Sequence, residues 1–186
     1  MNASGRPLTL EDPDGRFARV CVECDSVSIT MPTNVITDRS YYALQQPYDI
    51  RTRLAIHQYW DQRNAGPYRL SILVPYGTEN TIAAIQGAVG GQARGETGTT
   101  SPNTPTDGRS PNNRMWYSYG SDRVAAHEVG HMLGVRGPCN NHDCDPNGLM
   151  AAGLSSGAEI PRWYVDQILN KAGLTGRRCG CGTISP

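Results

Sequence analysis

The sequence has few aromatic residues, no net charge and no long apolar run. It contains a single Phe in 186 residues, and its 17 Lys and Arg residues balance 17 Asp and Glu residues. A balanced charge gives no broad positive field to attract nucleic acid or an anionic membrane, so we expect neither as a partner. No apolar run approaches the roughly 20 residues that cross a bilayer, and the first residues lack the apolar core of a signal peptide. We therefore expect no membrane insertion and no signal peptide in this chain.

Glycine and proline are abundant instead, with 21 Gly and 13 Pro residues. This composition predicts a loop-rich fold with a modest core, of the kind that disulfides or a metal ion often stabilise. The length fits one domain. Residues 1–19 are polar and rich in turn-forming residues, which predicts a leader or linker, and residues 20–186 then form a single domain.

The six cysteines fall into three close pairs. These are Cys21 with Cys24, Cys139 with Cys144, and Cys179 with Cys181. Close pairs are disulfide partners in an oxidising compartment, or halves of a structural zinc site in a reducing one. The sequence does not choose the pairing, but we expect disulfides rather than zinc.

Hydrophobic periodicity predicts both strands and helices in the first half of the chain. Residues 20–29 alternate apolar and polar side chains, as in a strand or hairpin, and residues 68–75 form the clearest strand. Between them, Asp49 can cap a helix that ends near Arg63, and its recurring apolar residues predict a face that lies on a sheet. Those residues are Ile50, Leu54, Ile56, His57 and Trp60. Residues 82–89 fit a strand or a helix equally.

The second half contains a long polar stretch followed by further elements. Residues 90–113 contain no Val, Ile, Leu, Met or aromatic residue, which predicts a long exposed loop. Residues 114–119 read as a strand, and such a strand at a sheet edge can pair with an extended peptide. We expect next a helix over residues 122–135, a loop over 136–158 and a last helix from about Pro161 to Gly173.

The segment that carries chemistry is Ala126-His-Glu-Val-Gly-His-Met-Leu-Gly134. His127 and His131 are four residues apart on a predicted helix, so their side chains project from one face and can share a divalent ion. Glu128 follows His127, about 100° around the helix, where a carboxylate can reach a water on that ion without being a ligand. The spacing predicts hydrolysis by a metal-activated water with Glu128 as general base.

These residues resemble the zincin metallopeptidases and, within them, the metzincin clan. The resemblance covers roughly residues 114–170. His127, Glu128, His131 and Gly134 match the clan's motif, and Leu149-Met150-Ala151 is placed like its Met-turn. The resemblance implies a zinc-dependent endopeptidase of α+β, zincin-like fold. Such a fold has a small twisted sheet with an active-site helix, followed by a loop-rich C-terminal subdomain with one helix.

The chain departs from the clan's motif at the third zinc ligand. That position is Gly137, which has no side chain, and a catalytic zinc needs three protein ligands. We expect His142 to replace it, because a Cys139–Cys144 bridge would close a small loop that projects His142 toward the metal. The alternatives are Asp143, Asp145 and, in a gluzincin-like arrangement, Glu159. The remaining histidine, His57, is expected to be a packed or surface residue.

Two further features have several interpretations. The spacing of Cys139 and Cys144 and of Cys179 and Cys181 is similar to that of the archaemetzincins, which implies a second, cysteine-bound structural zinc as an alternative to disulfides. Transition-state charge needs a hydrogen-bonding group besides the metal, and the candidates are Tyr117, Tyr119 and Tyr164.

Asp12-Pro-Asp-Gly15 resembles the tetrapeptide that closes the core of bacterial Rhs-type polymorphic toxins. This resemblance implies that residues 1–19 end a larger carrier and that residues 20–186 are a toxin or effector, secreted or delivered into a target cell or periplasm. The implied partners are a peptide or protein substrate and an immunity or inhibitor protein. The alternative functions are a catalytically silent metal-binding interaction module and a zinc amidase that acts on a non-protein amide.

Overall fold

The structure is a computed structural model that describes residues 18–37, 45–77, 79–85, 95–97, 114–118, 122–140, 142–151 and 158–184. These ranges contain nine strands and three helices, which makes the fold α+β as expected. The strands are β1 (Ala18–Glu23), β2 (Ser26–Thr30), β3 (Thr33–Thr37), β4 (Asn64–Ala65), β5 (Tyr68–Leu73), β6 (Asn80–Ile85), β7 (Gly95–Thr97), β8 (Arg114–Ser118) and β9 (Cys179–Ile184). The helices are α1 (Gln45–Trp60), α2 (Asp122–Met132) and α3 (Arg162–Lys171).

The strands form two sheets rather than the one small sheet that we expected. The first has the order β4-β5-β2-β1-β9 and the second the order β3-β6-β8-β7. The two sheets meet where β2 leads into β3. There the amide of Met31 donates to Leu73 O at 2.9 Å, and the amide of Thr33 donates to Pro75 O at 2.8 Å. These two bonds pair the residues between β2 and β3 with the residues at the end of β5, where the chain passes from one sheet to the other.

The predicted hairpin over residues 20–29 is confirmed, as the antiparallel pair of β1 and β2. Val20 and Val22 on β1, and Val27 and Ile29 on β2, are all buried, as the alternating pattern predicted. The strand begins at Ala18, two residues before the expected start of the domain, because Ala18 continues the buried face at 1% exposure. Residues 1–17 lie outside the described residues.

The sequence pattern did not reveal β9, which pairs with β1 at the edge of the first sheet. Its sequence, Cys-Gly-Cys-Gly-Thr-Ile, has too few apolar side chains to show a strand period. Gly182 is required by a close approach, since a Cβ there would lie 1.9 Å from Ala172 O. A disulfide between Cys21 and Cys181 joins the two strands.

The first helix differs from its prediction in both its start and its buried face. It begins at Gln45, so Asp49 does not cap it but lies inside it, buried. Ile56 and Trp60 are buried, whereas Ile50 and Leu54 are 51% and 61% exposed. At 100° per residue, Ile56 lies about 160° around the axis from Leu54, so one face cannot hold both sets.

The strand over residues 68–75 is confirmed as β5. Of residues 82–89, which fitted either element, residues 82–85 belong to β6, and residues 86–89 lie outside the described residues. The prediction of an unbroken loop over residues 90–113 is wrong at β7, which pairs antiparallel with β8; the rest of that stretch lies outside the described residues. The strand over residues 114–119 is confirmed as β8. It is not an edge strand, because β6 lies on one side of it and β7 on the other.

Both later helices were predicted. The second begins at Asp122 and packs against α1, where Trp60 Nε1 donates to Ala126 O at 2.8 Å. Pro161 caps the N-terminus of α3, and Gly173 follows its C-terminus with φ +71°. Among the described residues, no helix is long and apolar enough to cross a membrane.

Candidate metal centre

Two of the histidines come from one face of α2. His127 is 7% exposed and His131 is half-buried, and their ring centroids are 4.9 Å apart. This is the arrangement that four-residue spacing on a helix produces, since i and i+4 side chains lie one above the other. The packing of Trp60 against α2 fixes this part of the helix in the core.

A glycine turn ends α2 and supplies a partner for His131. Gly134 has φ +93°, a conformation that favours glycine, and it turns the chain so that Val135 N donates to Gly130 O at 2.9 Å. This reversal brings Val135 O to 3.0 Å from His131 Nδ1. The turn therefore both ends the helix and orients a ligand.

The third histidine comes from a disulfide-closed loop. Cys139 and Cys144 are bonded, and the loop between them contains His142. The amides of Cys139 and His142 each donate to the other residue's carbonyl at 3.0 Å, and Asn140 adopts the left-handed φ of +53° that this tight turn needs. The loop thus returns His142 toward α2.

Gly137 has a specific role in this return. A Cβ at this position would lie 2.0 Å from His142 O and 2.6 Å from Asp143 N, both of which are main-chain atoms. Only a glycine lets the chain pass this closely. The residue that removes the clan's third ligand therefore makes room for the loop that carries His142.

The three imidazoles form a compact triangle. The His142 ring centroid is 5.2 Å from that of His127 and 5.2 Å from that of His131. One ligand nitrogen from each histidine lies within 4.8 Å of the other two, so the group can hold a metal ion. Within the described ranges, it is the one group of three or more His, Cys, Asp or Glu residues placed to do so.

Each ring has its Nδ1 hydrogen-bonded to a main-chain carbonyl. The partners are Leu149 O for His127 at 2.9 Å, Val135 O for His131 at 3.0 Å and Asn140 O for His142 at 2.9 Å. A carbonyl can only accept, so Nδ1 carries the proton on all three rings and Nε2 keeps its lone pair. This is how proteins commonly orient metal-binding histidines.

Burial keeps the two helical histidines neutral. It lowers the pKa of His127 to about 4, and it lowers the pKa of His131 in the same direction. The Nδ1–H bonds to the carbonyls of Leu149 and Val135 raise the two pKa values, but burial outweighs them. Protons therefore compete little for these two ligand nitrogens near neutral pH.

Glu128 directly follows His127 in the sequence and is 6% exposed. A buried carboxylate is uncommon unless the protein uses or compensates its charge. Its position on α2, next to His127 and inside the same helix, is the one that the motif predicted.

The segment after the disulfide loop packs under α2. Leu149 and Met150 are fully buried. A Cβ on Gly130 would lie 2.2 Å from Met150 Sδ, so the thioether fills the space that glycine leaves on the helix. Met150 O also accepts from Asp143 N at 2.8 Å, which ties this segment to the residue after His142. Met150 is thus buried against α2, and its role as a Met-turn residue stays a prediction.

Sequence reasoning missed Arg123, which holds this segment in place. Arg123 is 7% exposed, and its Nη2 donates to Gly148 O at 3.1 Å, to Leu149 O at 3.0 Å and to Ala151 O at 3.4 Å. Burial lowers its pKa. Leu149 O is also the acceptor for His127, so Arg123 orients a ligand through this carbonyl. The available signal was spacing, because Arg123 lies four residues before His127 on the same face of α2.

Tyr164 has a supporting position rather than the catalytic one that we considered. Its side chain is fully buried on α3, where the hydroxyl donates to Asp143 Oδ2 at 2.7 Å and accepts from Met150 N at 3.0 Å. Burial raises its pKa. The side chain of Tyr117 and the whole of Tyr119 lie outside the described residues.

The alternative third ligands do not join the triangle. Asp143 Oδ1 accepts from Asp145 N at 2.9 Å, and Asp145 Oδ1 accepts from Asn147 N at 2.9 Å, so both carboxylates fold back on their own loop. Glu159 is exposed. His57 lies on α1, where its ring is 4.0 Å from the carboxylate of Asp61. Of the residues weighed, His142 is the one brought to His127 and His131.

The disulfides leave little for a cysteine-bound zinc. Cys21 pairs with Cys181 rather than with its near neighbour, and Cys139 pairs with Cys144. Cys24 and Cys179 are free and exposed, and in the described part of the chain no third ligand joins them in a metal group. The expectation of disulfides is met for four of the six cysteines.

No protein-family model matches the chain, and a search of curated proteins found no significant match.

Proposed function

We propose that the protein is a zinc-dependent endopeptidase of zincin-like fold, with residues 20–186 as its catalytic domain. The observation that carries the proposal is the triangle of His127, His131 and His142, with each Nδ1 bonded to a carbonyl and each Nε2 available. The buried Glu128 on the same helix adds the group that a purely structural metal site does not need.

The donor set fits zinc. Three imidazoles with no carboxylate or thiolate suit zinc, as they suit other first-row ions, and three protein ligands leave a fourth position for water or substrate. Structural zinc sites instead use four protein ligands. A three-histidine set therefore supports a catalytic rather than a structural centre.

The proposed roles divide between ligands and base. When bound, zinc supplies Lewis-acid activation of a water and polarisation of the peptide carbonyl. His127, His131 and His142 would hold the ion through the Nε2 lone pairs that their Nδ1 hydrogen bonds leave available. The Glu128 carboxylate takes a proton from the attacking water and returns it to the leaving amine nitrogen, as a general base and then a general acid. No covalent link to the enzyme is formed.

An edge strand offers a way to bind an extended substrate. Among the described strands, β7 is at the edge of the second sheet and lies beside α2, whereas β8 is internal. A peptide added along β7 would pair through its main chain, which binds many sequences without reading side chains. We therefore transfer the expected substrate-pairing role from β8 to β7.

The disulfides indicate the kind of compartment in which the proposed activity would take place. Two disulfides favour an oxidising compartment outside the cytosol. The tetrapeptide Asp12–Gly15 lies outside the described residues, so delivery by a larger carrier and inhibition by an immunity protein stay predictions.

Glu128→Gln tests the mechanism. The amide cannot accept the proton but leaves all three ligands in place, so kcat/KM on a peptide library should fall by about 10²- to 10⁴-fold while zinc content is unchanged. Glu159→Gln is the matched control, because Glu159 is exposed and stands apart from the triangle. Full activity in the Glu128 variant would refute the mechanism.

The same assay distinguishes the two alternative functions. A zinc-loaded wild type that cleaves no peptide would favour the catalytically silent metal-binding module, and cleavage of non-protein amides alone would favour the zinc amidase.

A further inference from the structure

We propose that the metal centre is under redox control. In this proposal, which rests on the proposed function, the Cys139–Cys144 disulfide holds His142 in the ligand set, and its reduction releases that ligand. The two histidines on α2 remain after reduction, so the reduced protein still binds zinc, but more weakly. It keeps its fold, because the change is local to the loop.

The three ligands differ in how they are held. His127 and His131 lie on α2, whose packing is part of the core. His142 lies on a loop, and its ring is oriented by Asn140 O, which belongs to the same loop. The position of this ligand therefore depends on what keeps the loop closed.

The two ends of the loop are also held differently. After His142, Asp143 is fixed to the core because its amide donates to Met150 O at 2.8 Å and its carboxylate accepts from Tyr164 at 2.7 Å. Before His142, an anchor lies at Arg136, whose amide donates to Gln167 Oε1 at 2.7 Å and whose carbonyl accepts from Gln167 Nε2 at 3.0 Å. Cys139, three residues further on, is exposed, and its two main-chain bonds go to His142 itself. The disulfide connects this first end to the anchored second end.

Both cysteines are exposed, so an external reductant can reach the bond. A dithiol supplies two electrons and two protons, which break the S–S bond and leave two thiols, while the dithiol itself is oxidised to a disulfide. The turn over residues 139–142 then keeps two main-chain hydrogen bonds and the strained left-handed Asn140. A short loop with this conformation opens readily once its covalent closure is lost.

The proposal has a biological consequence that follows from chemistry alone. In a reducing compartment the protein would hold zinc poorly, and after transfer to an oxidising compartment it would form the complete site. A hydrolase built in this way is restrained where it is made and acquires its metal where it acts.

The second disulfide provides a matched control. Cys21 and Cys181 join β1 to β9, and neither cysteine belongs to the histidine triangle. Zinc affinity is measured by competition with a chromogenic chelator for the wild type, Cys139→Ser/Cys144→Ser, Cys21→Ser/Cys181→Ser, and each of these with His142→Ala. Circular dichroism of the metal-free proteins reports whether each is folded.

We expect Cys139→Ser/Cys144→Ser to bind zinc about 10- to 100-fold more weakly than the wild type, the range typical for loss of a group that orients a ligand. Cys21→Ser/Cys181→Ser should match the wild type. His142→Ala should weaken binding strongly when the Cys139–Cys144 bond is present and have little further effect when it is absent.

Equal affinity in the Cys139→Ser/Cys144→Ser variant would overturn the redox proposal and leave the zinc site intact. Loss of the folded state in that variant would also overturn it, since the proposed effect is local. A wild type that binds no zinc would instead overturn the proposed function.

Discussion

The three histidines of the candidate metal centre are oriented by main-chain carbonyls. Leu149, Val135 and Asn140 each contribute a carbonyl that accepts an Nδ1 hydrogen. The side chains of these three residues take no part in the hydrogen bonds, so the orientation of the rings depends on backbone conformation. Residues that set that conformation, above all Gly137 and Arg123, should therefore affect metal binding without contacting the metal.

Gly137→Ala should weaken zinc binding. The new Cβ would lie 2.0 Å from His142 O, so the loop must move and carry the third ligand away from α2. We expect a loss of about 10- to 100-fold in zinc affinity. Gly173→Ala is the control: it has φ +71° and open space around its Cβ, so it should reduce stability and leave affinity unchanged. Competition with a chelator measures the zinc affinity of both variants and of the wild type. Equal affinity in Gly137→Ala and the wild type would show that the loop tolerates the methyl group.

Arg123→Met should weaken both the fold and the site. The variant removes the hydrogen bonds to the carbonyls of Gly148, Leu149 and Ala151, and charged hydrogen bonds contribute about 1.5–3 kcal/mol each. Because Leu149 O also orients His127, zinc affinity should fall as well. Arg162→Met removes an exposed ion pair to Asp166 and should cost at most about 1 kcal/mol. Urea unfolding and zinc titration of both variants test this difference.

At the residue level, spacing predicted much of the site. His127, Glu128 and His131 follow from their periodicity on one helix, and His142 was inferred from the small loop that a Cys139–Cys144 bond would close. Arg123 was not predicted, because an arginine on an amphipathic helix is usually exposed and only the tertiary position of residues 148–151 buries it. Its spacing from His127 puts it on the same face of α2 but does not say which distant carbonyls it meets.

At the level of elements, the contact between α2 and the Met150 segment sets how closely they pack. Gly130→Ala would place a methyl group 2.2 Å from Met150 Sδ and 3.2 Å from Trp60 Cζ2, and overpacking of this kind costs about 1–3 kcal/mol. Met150→Ala should relieve the clash, so the double variant should be more stable than the sum of the two single effects predicts. Denaturant unfolding of the three variants measures the coupling, and strictly additive effects would show that the two residues do not interact.

The same scale shows where periodicity was insufficient. The hairpin and α2 have strong period-two and period-3.6 patterns, and both were predicted. The buried face of α1 was not, because Ile50 and Leu54 are as apolar as Ile56 and the pattern alone does not say which set meets the core. Short or glycine-rich strands such as β7 and β9 are specified by their pairing partners and not by their own residues.

For the whole molecule, the arrangement of two sheets depends on contacts between distant residues. At their junction, Arg53 of α1 donates to Thr33 O at 2.8 Å and to Pro75 O at 3.1 Å, and so satisfies carbonyls where the pairing changes sheet. Arg53 also pairs with Asp49, which explains why that aspartate is buried within the helix instead of capping it. The α+β class was predictable from the motif's resemblance, but this junction was not.

Cys21→Ser/Cys181→Ser should lower global stability. The bond links residues 160 positions apart, so its loss frees a long stretch of the unfolded chain, and removing such a native disulfide typically costs about 2–5 kcal/mol. Zinc affinity measured below the unfolding midpoint should not change. A stability loss no larger than that of Cys139→Ser/Cys144→Ser would show that the longer loop has no greater effect.

The most direct test of the central claim is elemental analysis of the purified protein, comparing the wild type with His142→Ala and with His57→Ala as control. We predict one zinc per chain in the wild type and in the His57 variant, and a large loss in the His142 variant, because only His142 belongs to the triangle with His127 and His131. Equal zinc in all three proteins would remove His142 from the ligand set. No zinc in the wild type would contradict the metal centre itself.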